Sequence, residues 1–223
     1  MIPVTVRRFQ WVVAKDSHGG QNWGLTDFPV TDRLATPAMG LWEADLVDVP
    51  YAAVPVVLET DRLRLVPLDS SRAEELAEIY ADPEVARYIG GDRLTGEGTR
   101  AQVAVFEQVW RERGYGQSAL IERATGRMIG RAGLHHWSNW DEVELGYVLA
   151  TDSQGHGLAR EAAQAWLQWA QAHLPQDDLI AVIQPANTPS IALAERLGFT
   201  FERRDVTPRD VEVSIYRLNR SAG

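Results

Sequence analysis

The feature that most constrains this chain is a change of period at residue 151. Upstream lie three strand-like runs at hairpin distances: Gln117–Glu122, Met128–Trp137 after a Thr125-Gly126 turn, and 143–150 after Asn139-Trp140-Asp141. They predict an antiparallel meander. Downstream, Ala159, Ala162, Ala163, Trp166 and Ala170 lie on one stripe of a helix over 157–174, so Trp166 and Trp169 read as core. Residues 179–183 form a short buried strand, Thr188-Pro189 opens a helix that Gly198 closes, and 199–203 and 211–218 complete the sheet. A meander that runs into strand, helix, strand predicts an α/β (α+β) fold. Its sheet is mixed and mostly antiparallel, with six to seven strands and about four flanking helices.

The regular pattern begins near Leu58. Leu63 and Leu65 alternate with arginines as in a half-buried strand, and Ser71 with Glu74 makes a capping box for a helix carrying Leu76, Ile79 and Tyr80, which Asp82-Pro83 stops. Thr99 with Gln102 caps a second helix, whose Val103, Phe106 and Trp110 repeat until Gly114. The first 57 residues differ: they hold five of the eleven prolines and three of the eight tryptophans (Trp11, Trp23, Trp42), without sustained periodicity. They read as an irregular N-terminal extension, residues 1–57, packed on the core or on a partner, ahead of one domain over 58–223. Three tryptophans would be costly to leave in water.

The chain has no cysteine, which excludes a disulfide framework, a thiolate metal site and a cysteine nucleophile together. Its 22 basic and 31 acidic residues give a formal charge of −9, which opposes nucleic acid and anionic membranes as partners. No run of eighteen apolar residues occurs, and the start of the chain carries charges where a secretory signal is apolar, so a cytoplasmic location is expected.

Between the strand ending at Ala150 and the long helix lies Gln154-Gly155-His156-Gly157-Leu158-Ala159. Two glycines allow a tight turn that brings successive N–H groups to one point, and the helix start adds free donors and its positive dipole end. This makes an anion cradle that needs no lysine. It is not a Walker loop, since it lacks Gly-Lys-Ser/Thr, and Arg160 stands where a dinucleotide fingerprint has its third glycine.

These residues also carry a family resemblance. Gln154 to Ala159 resembles the Q/R-x-x-G-x-G/A signature of the GNAT acetyltransferase superfamily. Glu144-Leu145-Gly146-Tyr147-Val148-Leu149 resembles its fourth strand, after which the sheet splays. Asn187-Thr188-Pro189-Ser190 through Glu195-Arg196-Leu197-Gly198-Phe199 resembles its second coenzyme A motif. Glu59-Thr60-Asp61-Arg62-Leu63 and Tyr80-Ala81-Asp82-Pro83-Glu84-Val85 resemble the RimJ/RimL-like branch, which acetylates the N-termini of ribosomal proteins. The resemblance implies an acetyl-CoA dependent N-acetyltransferase with a GNAT fold and no metal. Its acceptor would be a primary amine, on a protein N-terminus or a small molecule, and it leaves a homodimer open. Backbone groups of Val148, Leu149 and Ala150 would bond the pantetheine arm, Gln154 and the amides of Gly155, His156, Gly157, Leu158 and Ala159 would hold the pyrophosphate, and Asn187 would contact the arm near its end. Asparagine there also suits a plain turn ahead of a helix.

An alkylammonium near pKa ~10 is no nucleophile until it loses a proton, so the reaction needs a base. Glu144 is the candidate, on the strand face opposite Val143, Leu145 and Tyr147, with His135 and His136 as rivals; Asp141 and Glu142 read as solvated carboxylates. Other branches place a tyrosine just before the Glu-x-Leu-Gly-Phe run, where this chain has Ala194. The resemblance implies Ser190 on the same helix as the substitute proton donor to the departing thiolate; the alternative is that the thiolate leaves unassisted, since thiols are fairly acidic. A catalytically silent acyl-CoA binding module is the alternative of a different class.

Overall fold

The computed structural model describes residues 4–15, 21–27, 56–89, 94 and 96–220. In chain order the strands are β1 (Thr5–Lys15), β2 (Gln21–Asp27), β3 (Val56–Glu59), β4 (Leu63–Pro67), β5 (Gln117–Glu122), β6 (Met128–Trp137), β7 (Glu142–Leu149), β8 (Asp178–Ile183), β9 (Thr200–Val206) and β10 (Glu212–Asn219). The helices are α1 (Ala73–Tyr80), α2 (Pro83–Ala86), α3 (Glu97–Arg113), α4 (Leu158–His173) and α5 (Thr188–Arg196). The strands form one sheet in the order β2-β1-β3-β4-β5-β6-β7-β8-β10-β9. Every neighbouring pair is antiparallel except β7 and β8, which run parallel.

The seven strands from β4 to β10 are those the alternation predicts. The other three arise in and just after the region read as an irregular extension: β1 pairs with β2 along Phe9 to Lys15 and with β3 along Thr5 to Arg8. That reading is corrected for these segments. The five prolines at 3, 29, 37, 50 and 55 all lie outside the described residues, and none falls inside β1, β2 or β3, so they do not forbid these strands. Trp42 and all of 28–55 lie outside the described residues.

Two helix starts also differ from expectation. Asp69, not Ser71, caps the first, since its Oδ1 accepts the Ser71 N–H at 3.0 Å ahead of a 3-10 turn at Ser70–Arg72. Thr99 lies inside α3, where its hydroxyl donates to the Leu94 carbonyl at 2.5 Å. α4 covers one face of the sheet with an aromatic cluster in which Trp166 packs against Trp110 and Trp169, at centroid distances of 5.8 and 5.3 Å. α1, α2 and α3 cover the other face, where Leu76, Tyr80, Val103 and Phe106 pack on Ala119 and Met128.

The sheet is split beside β7. β7 and β8 are in register at the single pair Glu144 and Ile180. A charge cluster pins the strands where they start: Glu142 accepts from Arg203 at 2.7 Å and from Arg217, while Arg217 also reaches Asp178 and Glu202. Glu142 is therefore a tie between β7 and the far strands, and not the solvated carboxylate the sequence suggested. A half-buried network with several bonds per arginine contributes where isolated surface pairs do not. Held at one end, β7 and β8 part toward the other, and the opening faces the start of α4.

Candidate active site

Alternation along β7 puts Val143 and Leu145 in the core, each 2% exposed, and turns Glu144, Gly146 and Val148 to the face that α1 and α3 cover. The Glu144 carboxyl sits at the throat of the split. Its Oε2 accepts the Trp137 indole N–H at 2.7 Å, and its Oε1 lies 3.2 Å from where a Cβ on Gly146 would stand, so the glycine leaves it room. Burial pushes its pKa from the ordinary 4.5 up to about 7. The Trp137 bond, the charge of Arg131 and a Val182 backbone bond pull the other way without cancelling it. A carboxylate of that basicity suits proton abstraction near neutral pH.

His135 lies opposite Glu144 on β6, edge-on to the Trp137 ring at 5.0 Å. Burial, with Arg131, His136 and Arg113 nearby, lowers its pKa to about 4, which makes it the weaker base of the pair. His136 pairs across from Val143 on the other face and bonds Asp141 at 3.0 Å, away from the Glu144 carboxyl.

The phase of the β6–β7 ladder decides which backbone groups of β7 face the split. The Ala150 N–H donates to the Ile129 carbonyl at 2.9 Å and the Ala150 carbonyl accepts from Ser153, so Ala150 is engaged within the protein. Groups alternate along an antiparallel ladder, which turns those of Val148 toward Arg131 and those of Tyr147 and Leu149 toward the split. Of the three residues expected along the arm, Leu149 alone faces it, and its carbonyl accepts the Gln154 side-chain amide at 3.0 Å. This moves the expectation from Val148 and Ala150 to Tyr147 and Leu149.

The glycine loop has the backbone of an anion cradle. Gly155 and Gly157 take φ of 76° and 77°, left-handed values that turn successive N–H groups to one side. The first bond within α4 runs from the Glu161 N–H to the Gly157 carbonyl, so the amides of Leu158, Ala159 and Arg160 have no partner inside the helix. A Cβ on Gly155 would meet nothing within 4 Å. Leu158 is buried and fixes the helix start in the core, whereas His156 is exposed. These features fit a diphosphate.

The loop is clamped by residues not singled out from the sequence. Glu161, 4% exposed, accepts the Thr60 hydroxyl at 2.6 Å, the Arg62 N–H at 2.9 Å and the Arg62 Nε at 2.7 Å, and Arg62 Nη1 donates to the His156 carbonyl at 2.9 Å. Burial alone would raise the Glu161 pKa, but these hydrogen bonds outweigh it and hold it below the usual carboxylate range. The stability it contributes is present above that range and is lost as pH falls through it. Glu161→Gln, which leaves buried donors facing an amide, is expected to cost about 3 kcal/mol at pH 7 and less near pH 3. Urea unfolding of both forms at the two pH values checks this, and an equal loss at both would mean the carboxylate charge is not what holds the clamp.

Asn187 and Ser190 meet at the start of α5. Asn187 Oδ1 accepts the Ser190 N–H at 3.2 Å, which makes it the helix cap here, and the Ser190 carbonyl accepts the Tyr147 phenol at 3.1 Å. Tyr147 is a residue the sequence reading missed. Burial pushes its pKa up to about 12, so it keeps its proton at neutral pH. Ala194 is buried, 1% exposed, one turn further along the same helix. Glu75, Glu78, Asp82 and Asp152 also line an open hollow of about 560 Å³, but Glu144 does not line it.

A profile of the family described as Acetyltransferase (GNAT) domain matches residues 62–200, more than half of the chain. The uncharacterized protein YkkB of Bacillus subtilis is 32% identical over 151 residues, 66% of this chain and 86% of that protein. A solved acetyltransferase from Agrobacterium tumefaciens superposes with a TM-score of 0.66 at 27% identity, over 82% of this chain and 99% of the other. RimL, a ribosomal L7/L12 α-N-protein acetyltransferase solved in complex with coenzyme A, shares the fold, with a TM-score of 0.61 at 20% identity over 73% of this chain and 97% of its own. The split beside β7, the glycine loop that opens α4 and the matched residues agree: this chain belongs to the GNAT acetyltransferase family.

Proposed function

We propose that the chain is an N-acetyltransferase that moves an acetyl group from acetyl-CoA directly to a primary amine, with Glu144 as the base. The observation that carries this reading is the Glu144 carboxyl at the throat of the split, fixed by Trp137 through one oxygen and raised by burial to a pKa of about 7. Domain 58–223 is the catalytic unit, with 1–57 as an extension. The cytoplasm is its place of action.

Bound acetyl-CoA supplies an activated acyl thioester. The amides of the Gly155-to-Ala159 turn hold its diphosphate, with the Gln154 side chain at the rim, and the edge of β7 that Tyr147 and Leu149 turn toward the split lies along its arm toward Asn187. Trp137 holds Oε2 of Glu144, which leaves Oε1 over Gly146 to take the ammonium proton. The phenol of Tyr147 and the hydroxyl of Ser190, both at the start of α5, are the groups that can return a proton to the leaving sulfur.

Acetyl-CoA at ~100 times its Kd is expected to stabilise the protein by about 2.7 kcal/mol, seen as a raised melting temperature. With an amine present, thiol release should rise well above the rate without amine. Binding without amine-dependent release across amine classes would leave a silent acyl-CoA binding module. Neither binding nor release would sink the reading altogether.

A further inference from the structure

On the face that α1 and α3 cover, the paired residues of β6 and β7 form three successive rows: Arg131 with Val148, Gly133 with Gly146, and His135 with Glu144. The middle row is two glycines; the backbone of Gly116 and Gln117 lies against Gly133, so the trough without side chains between Glu144 and Arg131 runs over Gly146 alone. Gln117 of β5 pairs with Gly133 and closes one side of this trough. Its Oε1 accepts from Arg131 Nη1 at 2.7 Å, while its Nε2 lies 4.0 Å from where a Cβ on Gly146 would stand. The Glu144 Oε1 lies 3.2 Å from that same point, so the amide donor and the carboxylate oxygen both border the space over Gly146. No acceptor for Gln117 Nε2 is present among the described residues.

Arg131 is half-buried, yet its partners are neutral. Its Nε donates to the Tyr80 hydroxyl, its Nη1 to Gln117, and its guanidinium lies 5.3 Å from the Phe106 ring centroid and 5.9 Å from that of Tyr80. Among the described residues no carboxylate bonds it directly, although its charge reaches the Glu144 carboxyl, and its Nη2 has no acceptor. By contrast Arg62, Arg127, Arg203 and Arg217 each rest on acidic side chains. A cation drawn out of water normally has an anion beside it, because neutral hydrogen bonds do not replace the lost hydration. A planar guanidinium with N–H groups to spare is suited to a carboxylate, which it can hold through two bonds.

Resting on the proposed function, we infer that the acceptor is a small molecule carrying both a primary amine and a carboxylate, the amine set at Glu144 and the carboxylate at Arg131. Gln117 then donates to the acceptor between them. The arrangement pairs each charge of such a molecule with its opposite across the glycine row, and it leaves a polyamine with a cation against Arg131. In a chain of net charge −9, a fixed cation in the cleft also offsets the general repulsion of an anionic substrate.

The test compares ω-amino acids of increasing length, from glycine to 5-aminopentanoate, with unsubstituted alkylamines of matching length. Acetylation is followed by thiol release and mass. The expected result is a kcat/KM at least ~10-fold higher for one amino acid than for its matched amine, an advantage expressed in KM. Arg131→Gln should bring that ratio close to one, and Arg131→Lys should keep part of it. Thermal stabilisation by acetyl-CoA establishes that each variant is folded. Glutarate binding to the CoA-loaded wild-type protein, followed by calorimetry, reads the anion site without turnover, and it should weaken ~10-fold or more in Arg131→Gln. Amine turnover with no preference for a carboxylate, or a ratio unmoved in Arg131→Gln, overturns the inference while leaving the proposed function intact. No turnover with any amine, together with glutarate binding that depends on Arg131, removes the proposed function and keeps the anion site; no glutarate binding and no preference removes the site.

Discussion

Glu144→Gln is expected to lower kcat by ~10²-fold or more while acetyl-CoA affinity stays within a factor of about two, because a positioned base is worth about that much and backbone amides hold the cofactor. Glutamine keeps the shape and can still meet Trp137, so the loss isolates the proton-accepting function from packing. In the wild type the carboxyl must be ionised to act. With a pKa of about 7, activity in kcat/KM should climb as pH rises through 7, and that limb should vanish in the variant. The deficit should also narrow at high pH, where more of the amine is already neutral.

The same residue makes a stability prediction of opposite sign. A carboxyl whose folded pKa lies above its unfolded value binds its proton more tightly in the native state. Its favourable contribution is fully present below the unfolded pKa and is lost as pH rises through about 7. Above that pH the wild type carries a buried charge that Glu144→Gln lacks, on the order of 3 kcal/mol from a shift of this size. The inactive variant should therefore unfold at higher urea than the wild type at pH 8.5, with the gap closing toward pH 5. A flat comparison together with near-normal turnover would make Glu144 a structural carboxyl and return attention to His135.

Much of this site could be read from the sequence because its parts are local. The glycines at 155 and 157, the helix they open and the Asn187-Thr188-Pro189 start of α5 are short-range patterns, and the structure forms them with bounds close to those expected. What could not be read depends on partners far along the chain. Glu161 meets Thr60 and Arg62 about a hundred residues away, so nothing near 161 marks it as the clamp. Whether the backbone of Val148 or of Leu149 faces the split depends on the register of β7 against β6, which alternation alone does not fix. By alternation Tyr147 belongs to the apolar set of its strand, and only the packing of α5 gives its hydroxyl a partner. The strands at Thr5–Lys15 and Gln21–Asp27 escaped notice because prolines beyond their ends weighed against regular structure in the whole region.

Gly157→Asp should weaken acetyl-CoA binding by ~10²-fold or more while the protein still folds. The residue has φ of 77°, so any side chain costs about 1–2 kcal/mol of backbone strain, and aspartate is among those that tolerate the left-handed region. Space is not the obstacle, since the nearest atom to an added Cβ is Arg62 Nη2 at 3.6 Å. The charge is what matters: a carboxylate at the mouth of the amide turn opposes the diphosphate, and a unit charge ~4 Å away at an effective dielectric constant of ~20 is worth about 4 kcal/mol. Arg62 would neutralise part of it, which is why the expected loss is smaller than the Coulomb figure. Gly157→Asn carries the same strain without the charge and separates the two effects. It should lose less than ~10-fold, and the difference between the two variants should shrink as salt is raised from low ionic strength to 1 M. Calorimetric titration of acetyl-CoA into each folded variant gives the answer: equal affinities for the aspartate and asparagine forms at low salt would mean that the phosphates lie away from this turn.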